Sequence, residues 1–211
     1  MKKLKTFLLL FNLAFLSISA QEAATNKVTM SIDSNISSLK WIGEKITTSQ
    51  HYGSLKFLSG DLSFCNDKDK VDDNPKFNLE AALICSGNFT VDMTSLLVED
   101  LTGSSKERLE GHLKSDDFFG VGKFPNAILK INNSSDFLNN VASVKGQITI
   151  KGKTEDISFD VTNEKNTYSA KIEIDRSKFN VRYGSTSFFD TLGDKAIDDI
   201  FTLNIKLLTN N

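Results

Sequence analysis

Apolar residues recur at every second position along most of this chain. Val28, Met30 and Ile32 share one face of "VTMSIDS", and Phe89, Val91 and Met93 share one face of "NFTVDM". "GQITIK" offers Ile148 and Ile150, "DISFDV" offers Ile157, Phe159 and Val161, and "AKIEID" offers Ile172 and Ile174. The last run, "IFTLNIKLL", sets Phe201, Leu203, Ile205 and Leu207 against Thr202, Asn204 and Lys206. Strict alternation over many short segments predicts antiparallel strands with one face towards a common interior and the other towards water. "KGKTED", between Ile150 and Ile157, reads as a polar hairpin connection. No longer period repeats, which counts against a solenoid or propeller.

One segment breaks the pattern. In "GSSKERLEGHLKSDDFF", Ser104 stands three residues before Glu107, the spacing of a capping box. Leu109 and Leu113 fall four apart on one helical face, with Arg108 and His112 on the same flank. Gly111 weakens the interior, and Gly120 and Gly122 fit a stop. The expectation is one short helix, its leucines against the sheet or across the end of a barrel.

Many alternating strands and one helix suit either a β-sandwich or an up-and-down barrel. The barrel removes exposed edges and leaves an interior large enough for a ligand. An outer-membrane barrel alternates in the same way, but it needs aromatic girdles that three Tyr and one Trp do not furnish, and "LLTNN" is not an aromatic end. The expected fold is therefore all-β, a soluble antiparallel barrel with one short helix inserted.

The first twenty residues, "MKKLKTFLLLFNLAFLSISA", have the layout of a secretory signal peptide, with Lys2, Lys3 and Lys5 before an apolar run too short for a comfortable membrane span. Cleavage is expected after Ala20, with residues 21–211 as one exported domain, periplasmic or secreted, and no stable membrane span in the mature protein. No cysteine near the cut suggests a lipid anchor. Without the leader lysines the count is 22 basic against 27 acidic residues, a net of −5. That mild, evenly mixed charge does not point to nucleic acid or to an anionic membrane surface.

Two cysteines remain, Cys65 and Cys85. In an oxidising compartment they can staple the base of a protruding hairpin; two free buried thiols are the competing reading. No metal is expected, because two Cys and two His without clustering lack zinc spacing, and "NDKDKVDD" lacks the glycine and terminal glutamate of a calcium loop. Nor is there a nucleophile elbow, a phosphate-cradling loop, a His-Glu-x-x-His or a plausible Cys–His pair. No catalytic residue is assigned. His51 beside Tyr52 is conceivable as an acid/base pair, but "HYGSLKF" reads better as the start of a strand. Asn35, Asn88, Asn132 and Asn133 lie in glycosylation sequons that a bacterial-looking leader makes incidental.

Three ordered blocks, "HLKSDDFFGVGKFP", "GQITIKGKTEDISFDV" and "IDRSKFNV", resemble the YceI-like family of exported polyisoprenoid-binding proteins. The first block matches at His112, Leu113, Ser115, Asp117, Phe118, Phe119, Phe124 and Pro125. The second matches at Gly146, Thr149, Gly152 and Thr154, and the third at Arg176, Ser177 and Phe179. "DSNISSLKWIGEK", "HYGSLKF" and "VDMTSL" resemble the family's first strands. Between Ser63 and Gly87 the chain departs from the pattern with "CNDKDKVDDNPKFNLEAALIC", an inserted hairpin onto which no family role carries over.

The resemblance implies a lipocalin-like barrel that binds, stores or transports a long-chain lipid, isoprenoid or isoprenoid quinone, without a resident cofactor. It also implies a possible homodimer. An apolar tunnel favours large inward side chains, since burial contributes roughly 25 cal/mol per Å². Trp41, Phe57, Phe89, Val91, Phe119, Ile148, Phe159, Phe179 and Phe201 are the candidate walls, although some of these simply pack the core. Arg108, His112 and Arg176 are the candidate polar groups at the mouth. For His112 a structural hydrogen bond is the alternative, and Arg176 and Asp117 can instead pair or cap. Alternation does not say which level of the barrel each residue occupies. The rival functions are an exported stress-associated or structural protein acting through protein contacts, and an enzyme on a lipid-like substrate.

Overall fold

The computed structural model describes residues 27–46, 49–66, 82–165 and 167–209. The expected leader and most of the inserted hairpin lie outside the described residues. The strands are β1 (Lys27–Ser31), β2 (Ser38–Lys45), β3 (Gln50–Asn66), β4 (Ala82–Val98), β5 (Asn126–Ser134), β6 (Val141–Ile150), β7 (Lys153–Glu164), β8 (Thr167–Asp175) and β9 (Ile197–Leu208). Helix α1 (Gly103–Lys114) stands between β4 and β5, and a 3-10 helix (Arg176–Phe179) follows β8.

Every pairing is antiparallel. Strands β2 to β9 form an eight-stranded ring closed by the β3–β4 ladder. Strands β3 and β4 are 17 residues long, which lets β3 serve two partners on its other side. Residues Gln50–Leu55 pair with β2, and Asp61–Cys65 pair with β1, so β1 acts as a short ninth strand above β2. One apolar core contains the residues that the alternation placed on a common face, apart from Val28.

The ring is incomplete at one seam. The β7–β8 ladder holds only from Val161 to Glu164 against Thr167 to Ala170. Below it β7 stays on β6 as far as Lys153 and β8 stays on β9 as far as Asp175, so the two strands part. The Arg176–Phe179 helix packs beside β7 at this seam. Inward-facing Ile157 and Phe159 are accordingly only half-buried.

The "KGKTED" connection is a two-residue hairpin turn at Lys151 and Gly152, with φ of 50° and 74°. Two positive φ values make a primed turn, whose twist matches that of the flanking strands.

Helix α1 buries Leu113 and lays Leu109 against the core, as the four-residue spacing requires. Its start corrects the expected capping box. Thr102 is the N-cap and makes no side-chain cap bond, while Ser104 already lies in the first turn with its carbonyl accepting from Arg108 Nε. The chain turns at Gly103, φ +57°, so the helix begins ahead of the serine. At the far end Ser115 caps by donating its N–H and Oγ–H to the His112 carbonyl. Of the two glycines expected to stop the helix, Gly120 has the left-handed φ of +59° and Gly122 does not.

Cys65 and Cys85 are joined in a disulfide, with Cα atoms 5.8 Å apart on neighbouring strands β3 and β4.

Candidate functional site

The barrel encloses a cavity of about 140 Å³ with almost wholly apolar walls. Strand register resolves the levels that alternation could not. At the mouth, Gly43 of β2, Phe201 of β9 and Ile174 of β8 lie side by side. One layer deeper stand Trp41, Leu203 and Ile172. Leu39, Ile205, Ala170 and Val161 follow, and Leu207, Tyr168 and Asn163 form the deepest layer. Six residues of β9 separate Phe201 from Leu207, roughly 20 Å along the strand at about 3.3 Å per residue, or roughly 15 Å of depth at the usual strand tilt of about 35–45°. The floor is shut by Leu62, Ile84 and Tyr168, all nearly inaccessible, whereas Phe119, Ile197 and Phe201 at the mouth are half-buried.

Of the expected wall residues, Trp41, Phe57, Phe89, Val91, Phe119, Ile148, Phe159 and Phe201 line this cavity. Phe179 does not: it is buried in the 3-10 helix as core. It belongs to the seam, where the chain leaves β8, and so the inward face of a strand is not open to it.

The Phe118–Phe119 pair forms one side of the mouth. The two rings meet edge-on at 4.9 Å, and Phe119 meets Phe201 edge-on at 6.3 Å. Lys151, in the β6–β7 turn, holds this loop by donating from Nζ to the carbonyls of Asp116 at 3.0 Å and Phe118 at 2.6 Å. Burial lowers the Lys151 ammonium below its ordinary value, opposed by Asp116 and Asp117 nearby.

Of the three expected polar groups only Arg176 borders the cavity; His112, whose Nε2 has no hydrogen-bond partner among the described residues, and Arg108 do not. Arg108 lies exposed on α1, bonded to the Ser104 carbonyl and Ser105 Oγ, and does not line the cavity. The His112 ring is packed edge-on between Phe118 at 5.7 Å and Tyr183 at 4.2 Å, outside the cavity wall. Arg176 does border the cavity, but it is only 2% exposed and four of its five N–H donors are bonded to carbonyls. Nε donates to Asp198 O, Nη1 to Val181 O and Tyr183 O, and Nη2 to Ile197 O, with Asp199 3.2 Å from Nη2. Burial lowers its pKa and the surrounding Asp199, Asp198 and Asp175 raise it. Arg176 is a clamp on the segment between the 3-10 helix and β9. A local motif cannot reveal this, because its acceptors are carbonyls five to more than twenty residues away.

His51 pairs through Nδ1 with Asp100 Oδ2 at 2.7 Å, while Asp100 Oδ1 accepts the Tyr52 N–H at 3.1 Å. Burial raises the Asp100 pKa, but these bonds outweigh it and hold it below the ordinary 3.8. The pair ties the start of β3 to the end of β4 and does not line the cavity. Among the described residues no cluster of three or more His, Cys, Asp or Glu could hold a metal, and no helix is long and apolar enough to cross a membrane.

The floor contains a residue that the sequence reading passed over. Tyr168 is 1% exposed, its ring 5.5 Å from that of Phe64, and burial pushes its phenol up to about 12. The signal was present: the period-two face of Ile172 and Ile174 extends back through Ala170 to Tyr168.

A closed antiparallel barrel with a deep apolar interior and one inserted helix defines a lipocalin-like fold. The chain belongs to the YceI-like family, whose domain model matches residues 30–208. The crystal structure of Burkholderia cenocepacia BcnA superposes with a TM-score of 0.56 at 20% identity, covering 83% of this chain and 98% of BcnA; the likeness is one of fold. A polyisoprenoid binding domain from Saccharophagus degradans, implicated in plant cell wall breakdown, aligns at 12% identity and a TM-score of 0.49 over 84% of this chain and 95% of its own. A Campylobacter jejuni YceI protein aligns at 21% identity and a TM-score of 0.48 over 74% of this chain and 83% of its own. No match was found among curated proteins.

Proposed function

We propose that this protein is an exported, non-enzymatic binder of a long-chain lipid of isoprenoid type, which it stores or carries in the barrel. One observation bears most of the weight. A cavity walled by aromatic and branched aliphatic side chains runs roughly 15 Å into the barrel and is open at one end. Such a space suits a long hydrocarbon chain, whose burial contributes roughly 25 cal/mol per Å². Family membership supports the same reading. The leader-like first twenty residues support a periplasmic or secreted location.

The test is solvent extraction of the purified protein followed by mass spectrometry, alongside native mass spectrometry of the intact complex. The expected result is a stoichiometric long-chain lipid that Phe119→Ala retains less well. A protein that emerges empty and takes up no long-chain lipid when offered one would sink the reading.

A further inference from the structure

The cavity wall has almost no polar surface, and two of its aromatic residues each bury a polar atom. Trp41 Nε1 and Tyr168 Oη are buried and have no hydrogen-bond partner among the described residues. The indole nitrogen can only donate, and the phenol donates or accepts. A buried polar group left without a partner costs about 1–3 kcal/mol, so such groups call for a ligand or a water to complete them.

Tyr168 stands at the floor of the cavity. Directly opposite it in the β7–β8 ladder is Asn163, on the same inward face, and Asn163 Oδ1 is also buried without a partner. The deepest layer therefore holds two uncommitted polar groups, and of the two residues Tyr168 is the one that lines the cavity. It offers no free cation: Arg176, the one basic residue among those lining the cavity, is bonded to four carbonyls and paired with Asp199 near the mouth. A phosphate or carboxylate buried here would lack a counter-charge, a cost of several kcal/mol per ion.

We propose that Tyr168 anchors the head of the ligand, and that this head is an uncharged oxygen function, a hydroxyl or carbonyl, seated on the cavity floor with its hydrocarbon chain rising to the mouth. The proposal rests on the lipid-binding reading above and specifies its substrate class and orientation. It places the polar end of the lipid opposite to where Arg108 and His112 would have held it. A phenol is protonated, and hence able to donate, at neutral pH, and burial moves Tyr168 further in that direction. A hydroxyl head and a carbonyl head can each accept from Tyr168.

Three probes of one chain length separate the possibilities: geranylgeraniol, the hydrocarbon phytane and geranylgeranyl phosphate. Trp41 is the chain's one tryptophan and lines the cavity, so its fluorescence reports occupancy. The intact protein should bind geranylgeraniol more tightly than either other probe. Tyr168→Phe should weaken geranylgeraniol roughly three- to tenfold, the worth of one neutral hydrogen bond, and leave phytane unchanged. The ligand-free variant should be at least as stable to urea as the parent, because the group removed has no partner in the fold. Equal loss for alcohol and hydrocarbon, an unchanged alcohol affinity, tight binding of the phosphate or a lower urea midpoint would each overturn the assignment. Failure of the parent protein to bind any of the three probes would instead remove the lipid-binding reading itself.

Discussion

Arg176 shows how much one residue can hold. Its guanidinium joins four backbone carbonyls and Asp199, and thereby fixes the chain from Val181 to Asp199 beside the mouth. Arg176→Met would strand those acceptors in a dry site, so a loss of about 3–5 kcal/mol is expected in urea unfolding. Arg176→Lys should recover little, since an ammonium cannot reproduce the planar fork. At the surface, Glu99 accepts from Lys40 Nζ at 2.6 Å and from Ser54 Oγ at 2.7 Å. Those bonds hold its carboxyl below the ordinary 4.5, against a smaller opposing effect of burial. A depressed folded pKa stabilises above the unfolded value and is lost as pH falls through the folded one. The urea midpoint should therefore drop as pH falls from about 4.5 downwards, and Glu99→Gln should flatten that slope. Exposed pairs are worth at most about 1 kcal/mol, so the change will be small.

At the scale of elements, glycine marks where strands must nearly touch. A Cβ on Gly53 would stand 1.8 Å from the Leu97 carbonyl and 2.7 Å from the Trp41 ring. Trp41 can lie flat against β3 only because that side chain is missing, and it is this packing that makes it a cavity wall. Gly53→Ala is expected to destabilise by about 1–3 kcal/mol or more through overpacking, and to shift the Trp41 emission maximum in the folded protein. An unchanged spectrum and midpoint would show that the wall yields more easily than its geometry suggests. The strands themselves were legible from alternation in most cases, because a half-buried sheet requires it. The seam between β7 and β8 was not: "DISFDV" and "AKIEID" alternate whether or not the two strands pair. The helix was legible as an element, yet its cap was misplaced by the turn at Gly103.

Over the whole molecule, the disulfide joins the two longest strands 20 residues apart in sequence. Closing a loop of about that length restricts the unfolded chain by roughly 3 kcal/mol on the chain-entropy account. Native protein should resist thiol labelling until reduced, and reduction should lower the urea midpoint accordingly while leaving the barrel's circular dichroism in place. Ready labelling of the unreduced native protein would contradict the bridge. Cys65 and Cys85 could be nominated from export and spacing, but only their placement on paired strands brings them together.

Alternation by itself determined an antiparallel all-β chain with an apolar interior, and the Leu109–Leu113 spacing pointed to one helix beside it. Those are local consequences of which side chains can face water. "HLKSDDFFGVGKFP" likewise declared the family, and its Phe119 lines the mouth of the cavity. The level of each residue, the uses of Arg176 and the isolation of the Tyr168 hydroxyl were decided only in three dimensions. Register and ring closure set them, and both depend on contacts between residues far apart in the chain. A period of two names the face of a strand; its neighbours decide what that face meets.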